Sequence, residues 1–295
     1  MVSPFQQQIE KAAVLLEALP YFQEFRGHTI LIKFGGSAMD DPERVRALLR
    51  DIVFLEIVGM NPVLVHGGGK AISKAMDAAG LEATFTGGLR ITTDAAMEIV
   101  EETLNRTINP SLVEAINEFG GRAIGVPGNG AFVGERMRQW SAEREEEVEL
   151  GRVGKVVGFD LDRIRSALAT ERVPVVSPVA SERGTKLSLN VNADLAASAL
   201  ASELKASKLV FLSDVMGLME DPSDESTLIG TVRVSEVEAL IEKGTIGGGM
   251  IPKVRSAVDA LRAGVGKVHM IDGRIRHSLL LEIFTNQGIG TEIVP

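Results

Sequence analysis

Hydrophobic positions along the chain alternate between two patterns. Short apolar runs, HTILIKF at 28–34 and NPVLVH at 61–66, read as strands. The segments that follow carry apolar residues at helical spacing. In DDPERVRALLRDIVFLEIVG (40–59), Asp41 suits the N-cap, Pro42 the first turn and Gly59 the residue past the end. KAISKAMDAAG (70–80) is a second helix, closed by Gly80. Strand, helix, strand, helix implies a parallel sheet with crossover helices. The alternation continues. A helical stretch at 92–120 is interrupted near Pro110, and AIGVPG (123–128) is a strand. Residues 130–158, rich in Glu and Arg, suit an exposed hairpin or flap. VPVVSPVA, LVFLSDV and VGKVHMIDG are three further buried strands, and ADLAASALASEL and IPKVRSAVDALRAG two further helices. Ahead of all this, residues 5–19 form a short amphipathic helix with Ile9, Ala12, Ala13, Leu16 and Leu19 on one stripe, ended by Pro20. The polar, turn-rich SERGTKLSLNVNAD suggests a boundary near residue 180.

Composition narrows the class. With 295 residues, the chain is long enough for one large α/β unit or two lobes. No apolar run reaches the roughly 18 residues of a membrane helix. The N-terminal segment has no basic region and contains Glu10, Glu17 and Glu24, so it reads as neither secretory signal nor transit peptide, and a cytoplasmic protein is expected. Cysteine is absent, which removes disulfides, thiolate metal sites and a cysteine nucleophile. Four histidines lie without metal-ligand spacing, so no protein metal site is expected. A net charge of -9 argues against a nucleic-acid surface, which needs a basic footprint.

The candidate chemistry lies where strands end. ILIKFGGSAM and VLVHGGGKAI each close an apolar strand with glycines just before a helix. One Gly-Gly after a strand is ordinarily a turn. Two in consecutive β-α units fall on one edge of a parallel sheet, where ligands bind, and exposed glycine N–H groups suit anions. Neither the Walker A pattern nor G-x-G-x-x-G is present, so the common nucleotide fingerprints fail. Lys33 ends its strand, a position from which a lysine also snorkels to solvent. Lys253 follows GGGMIP at a helix start, where a cation opposes the dipole. Two such lysines would neutralise charge on a transferring phosphoryl group. Asn190, Asn192 and Asp194 crowd the start of another helix. Capping accounts for Asn192 and Asp194, and Asp194 could also order the two lysines.

Taken in order, KFGGSAM, VLVHGGGKAI, FTGGLRIT, LSLNVNADLAA, FLSDVMGL, GTIGGGMIPKV and HMIDGRIRHSLLLEIFTNQGIGTEI resemble the amino acid kinase family over nearly the whole chain. The resemblance implies a three-layer open αβα sandwich around a mostly parallel sheet. It implies an acyl-amino-acid and dimerisation lobe at 25–180, a nucleotide lobe at 181–295, and an oligomerisation helix at 1–24. The implied reaction transfers the γ-phosphoryl group of ATP, brought with Mg²⁺ as co-substrate, to the side-chain carboxylate of N-acetyl-L-glutamate in arginine biosynthesis. No tightly bound cofactor is implied. Lys33 and Lys253 would stabilise the transition state and Asp194 would organise them. Gly35 and Gly36 would meet phosphate, while Gly68, Gly69, Arg90 and Asn190 would bind the acyl amino acid. Ser213, Asp214 and Gly217, in FLSDVMGL, would border the nucleotide. The sequence departs at VPGNGAF, where Asn129 stands in place of an expected Asp. Members inhibited by L-arginine share the N-terminal helix and the C-terminal segment. That likeness implies a homohexamer, a trimer of dimers, with Tyr21, His277, Glu282, Gly288 and Gly290 around the arginine. Another carboxylate kinase of the family, such as an aspartokinase or a carrier-linked aminoadipate kinase, and a non-catalytic amino-acid sensor of the same fold are the rival readings.

Overall fold

The computed structural model describes residues 5–141, 146–285 and 288–295. The first four residues of the chain, the tip of the expected flap at 142–145 and residues 286–287 of the C-terminal segment lie outside them.

Helix α1 spans Gln6–Phe25, past the Pro20 expected to end it. A proline inside a helix costs about 3 kcal/mol. The turn beyond it recovers this by packing Phe22 against Phe54 and Phe284, at ring separations of 5.9 and 5.3 Å, and by burying Phe25. Strand β1 (Thr29–Phe34), α2 (Pro42–Ile57), β2 (Asn61–His66) and α3 (Gly69–Ala78) follow the expected alternation. Asp41 caps α2 by accepting from the N–H groups of Glu43 and Arg44. A short hairpin, β3 (Phe85–Thr86) and β4 (Leu89–Arg90), leads to α4 (Asp94–Glu101). The interruption expected near Pro110 is a π-helix over Glu102–Ile108, which passes into α5 (Asn109–Glu118). Then come β5 (Ala123–Val126), β6 (Phe132–Ser141), β7 (Glu146–Phe159), α6 (Asp162–Ala169), β8 (Val173–Val176) and β9 (Val179–Glu182). VPVVSPVA is therefore two strands, not one. The chain leaves the main sheet at Ser177 and Pro178, where the Ser177 hydroxyl is held by the Gly128 N–H (2.8 Å). Strand β10 (Ser188–Val191) precedes α7 (Ala193–Leu204). The remainder is β11 (Lys208–Ser213), β12 (Thr231–Arg233), α8 (Val237–Glu242), α9 (Met250–Arg262), β13 (Lys267–Asp272), α10 (Ser278–Ile283) and β14 (Thr291–Val294).

The main sheet runs β12-β14-β13-β11-β1-β2-β8-β5 and is parallel except where β14 opposes β13. Strands β10, β7, β6 and β9 close into a small barrel beside it, and β6 and β7 form the expected hairpin. Side chains of β1 alternate between two helix layers, as the two-residue strand period requires. Ile30, Ile32 and Phe34 join a core with Leu49 and Ile52 of α2, Ile116 of α5 and Leu279 of α10. Leu31 joins a core with Leu200 of α7 and Val254 of α9. This is the three-layer αβα arrangement. The same alternation turns Lys33 toward the layer of α7 and α9.

Candidate active site

Strand β1 ends at Phe34 and its neighbour β2 at His66, in register. The two glycine loops therefore meet at the carboxyl edge of the sheet. The Gly67 N–H donates to the Phe34 carbonyl (2.7 Å) and draws them together. Gly36 takes φ +70, a backbone state that other residues enter only with strain. A Cβ on Gly35 would stand 2.7 Å from the Lys33 ammonium, so this loop must be bare for the lysine to lie across it.

Asp194 binds both lysines. Its Oδ1 lies 2.8 Å from Lys33 Nζ and its Oδ2 2.9 Å from Lys253 Nζ, with all three side chains largely buried. The local sequence explains why the carboxylate is available. Asn192 caps α7 through its side-chain oxygen, which accepts from the N–H groups of Asp194 (2.9 Å) and Leu195 (3.2 Å). Asp194, in the first turn, is left to face outward. Burial pushes its carboxyl up, but the charges of Lys33 and Lys253 outweigh that and hold it at about 2. Burial pulls Lys253 down, and Asp194 opposes the change. Lys253 also stands 5.2 Å above the Phe211 ring. Its place at the start of α9, unfavourable for the helix alone, is compensated by Asp194.

A cleft of about 200 Å³ opens beside this cluster, lined by Lys33, Gly36, Gly67, Gly68, Gly69, Arg90, Asn190 and Asp194 among others. Arg90 is anchored by Nη2 to the Gly69 carbonyl and the Ser73 hydroxyl, each at 2.8 Å, and lies 4.6 Å over the Phe85 ring. Burial lowers its pKa. Asn190 donates to the Thr92 hydroxyl (3.1 Å), which donates to the Arg90 carbonyl (2.9 Å). Thr92 is a residue the sequence reading did not single out, although it sits inside the quoted FTGGLRIT. An anion entering this cleft would meet the Lys33 ammonium, a guanidinium and the N–H groups of the glycine loops, while Lys253 lines an adjoining cavity that shares Asn192 and Asp194.

The other expected positions fall as follows. Ser213 ends β11, and Asp214 just after it accepts from the Ser37 hydroxyl (3.4 Å), which ties the β11 edge to the first glycine loop. Gly217 packs against β14, where a Cβ would fall 2.4 Å from the Thr291 hydroxyl. Asn129 donates to Glu101 (2.9 Å), a bond the expected Asp could not make.

A second cavity of about 700 Å³ lies between α1 and the C-terminal segment. Tyr21, Glu282, Gly288 and Gly290 line it, together with Lys208 and His269, which the sequence did not mark as residues of this site. His269 bridges Glu282 Oε1 (2.6 Å) and Lys208 (3.3 Å). Burial raises the Glu282 carboxyl, but His269 and the Ile289 N–H bring it below its ordinary value. His277 is not brought to this cavity. It precedes α10 at φ +60, and its Nδ1 lies 2.6 Å from Asp51 of α2. Among the described residues no cluster of three His, Asp or Glu suited to a metal ion occurs, and no helix is long and apolar enough to cross a membrane.

The profile of the amino acid kinase family matches residues 28–272. The chain belongs to the amino acid kinase family. Within it, the sequence is 58% identical over 294 residues to the acetylglutamate kinase of Akkermansia muciniphila, covering 100% of this chain and 99% of that one. Among solved structures, the N-acetylglutamate synthase from Neisseria gonorrhoeae complexed with coenzyme A and N-acetyl-glutamate superposes with a TM-score of 0.81 at 25% identity, covering 96% of this chain and 63% of that one. The same synthase complexed with coenzyme A and L-arginine superposes with a TM-score of 0.78, again at 25% identity, covering 96% of this chain and 65% of that one. The chain thus spans just under two thirds of the synthase.

Proposed function

We propose that the protein is a cytoplasmic kinase that transfers the γ-phosphoryl group of ATP to the side-chain carboxylate of N-acetyl-L-glutamate, giving N-acetyl-L-glutamyl 5-phosphate for arginine biosynthesis. The observation that carries this reading is the Lys33–Asp194–Lys253 cluster beside a cleft of glycine N–H groups and Arg90. The name and the full-length similarity of the Akkermansia relative support the choice of acceptor.

The acceptor carboxylate, with an ordinary pKa of about 4.3, is already ionised, so no general base is required. One of its oxygens bonds to the γ-phosphorus as the bond from the β,γ-bridging oxygen breaks, and ADP leaves with that electron pair. No proton moves. The site's task is to hold two anions together and to neutralise the charge that spreads over the phosphoryl oxygens. Lys33 and Lys253 do this, with Asp194 fixing their ammonium groups, and Gly35 and Gly36 offer N–H groups to phosphate. Gly68, Gly69, Arg90 and Asn190 hold the acyl amino acid. Ser213, Asp214 and Gly217 border the nucleotide, and Mg²⁺ enters as MgATP. Residues 25–180 then serve the acceptor and 181–295 the nucleotide. ADP release dependent on N-acetyl-L-glutamate, followed by an enzyme-coupled assay, tests the reading, and its absence contradicts it.

The second cavity supports regulation by L-arginine. Glu282 offers a carboxylate to a guanidinium, Gly288 and Gly290 shape the surrounding loop, and Tyr21 approaches from α1. The synthase related to this chain is solved with L-arginine. Exposed Ile9, Leu15 and Leu16 on α1 support its pairing with the same helix of another subunit, in a hexamer of three dimers.

A further inference from the structure

We propose that His66 and Asn109 form a positioning pair that fixes the Gly67–Gly68 peptide, so that its N–H faces the cleft. The inference rests on reading that cleft as the site of phosphoryl transfer.

His66 is fully buried at the end of β2. Its Nδ1 lies 3.0 Å from the Gly67 carbonyl, and its Nε2 lies 3.1 Å from Asn109 Nδ2. That same Nδ2 is 2.8 Å from the Val175 carbonyl. A carbonyl only accepts, so the amide nitrogen, not its oxygen, must point this way, with one proton for each partner. His66 Nε2 is therefore the acceptor, and the neutral ring carries its proton on Nδ1, where it donates to the Gly67 oxygen. Burial holds the imidazole down at about 4, so the ring keeps this form at neutral pH.

The consequence for the loop is geometric. In a trans peptide the carbonyl and the N–H point in opposite directions, and the chain has no cis peptides among its described residues. With the Gly67 oxygen drawn to the buried ring, the Gly68 N–H points away from it. It has no hydrogen-bond partner among the described residues, and Gly68 lines the cleft with Lys33 and Arg90. A peptide flanked by glycines turns over readily, so the orientation needs a lock. The π-helix supplies it. The Asn109 N–H bonds to the Leu104 carbonyl five residues back, which stacks the two residues on one face. Asn109 reaches His66, while Leu104 and Ile108 press on Gly68, where a Cβ would come within 2.7 Å of each.

The test has two arms. With ¹⁵N-labelled histidine, long-range ¹H–¹⁵N spectra at neutral pH should show His66 with a protonated Nδ1 and a bare Nε2. The opposite tautomer overturns the proposal whatever the protein's activity. In kinetics, His66→Leu and Asn109→Ala should raise KM for the carboxylate acceptor roughly tenfold, the size of one hydrogen bond, with KM for ATP within about twofold of wild type. His66→Asn, whose Nδ2 can take the place of Nδ1, should restore most of the acceptor affinity. Folding damage alone would lower thermal stability and the active fraction without this split. Folded variants with an unchanged acceptor KM contradict the proposal. If the wild type phosphorylates no carboxylate, the proposed function fails, and the tautomer measurement still decides the geometry.

Discussion

Asp194 is the residue on which the site's charge balance turns. A carboxylate held at about 2 by two ammonium groups stays ionised through any physiological pH and keeps both lysines in place. Replacing either lysine by alanine removes one contributor to transition-state charge and leaves Asp194 with one partner. Lys33→Ala and Lys253→Ala should each lower kcat by about 10²- to 10³-fold, as loss of a single oxyanion-type donor does. Circular dichroism should show the fold retained, and turnover within threefold of wild type would refute the assignment. Arg90→Ala should act differently, because the proposed α-carboxylate it binds does not react. A higher KM for the acceptor with little change in kcat is expected. A rise confined to KM for ATP would move Arg90 to the nucleotide side. At this scale the sequence was legible where a residue sat against its local preference. Lys33 at a strand end and Lys253 at a helix start drew attention because neither suits its element. Thr92 and His66 did not, because a threonine and a histidine beside apolar strands look like ordinary core.

Elements were legible where their signal was local. The repeat of apolar run, glycine and amphipathic helix marks β1 to α3 without knowledge of any partner. The short strands β10, β12 and β14 escaped, since SLNV, TVR and TEIV carry no apolar run like those of β5 and β8, and they become strands only when a distant neighbour supplies the ladder. Proline misled the reading of α1, because the aromatic packing beyond Pro20 comes from α2 and the segment after α10. The contact between α2 and α10 carries its own prediction. Asp51 is buried within α2, and burial pushes its carboxyl up to about 6, against the pull of His277. The folded state then binds a proton that the unfolded state has released, so this group's contribution to stability is present below about pH 4. It is lost as pH rises through about 6. Asp51→Asn should remove that decline, and relative to wild type it should gain about 1–3 kcal/mol between pH 4 and 7, less whatever the lost His277 bond was worth. Urea unfolding across this range measures the difference, and parallel curves for the two proteins would contradict the raised carboxyl.

At the scale of the whole molecule, α1 divides into two parts. Its last turns pack on the body through Phe22 and Phe25, while Ile9, Val14, Leu15 and Leu16 stand exposed. Removing residues 1–19 should therefore leave a folded, active protein of lower oligomeric order. Light scattering should report a hexamer for the full chain and a dimer for the truncation, with sensitivity to L-arginine weakened by the loss of the subunit contact. A full chain that runs as a dimer and is indifferent to arginine would refute the assembly. The central claim is narrower and does not depend on assembly. It is that the cleft at the carboxyl edge of β1 and β2 makes an acyl phosphate from N-acetyl-L-glutamate. Hydroxylamine trapping tests it most directly, with MgATP and N-acetyl-L-glutamate, L-glutamate and L-aspartate compared side by side. The account predicts hydroxamate from N-acetyl-L-glutamate far above the other two. Preference for aspartate, or no hydroxamate from any of the three, would contradict it.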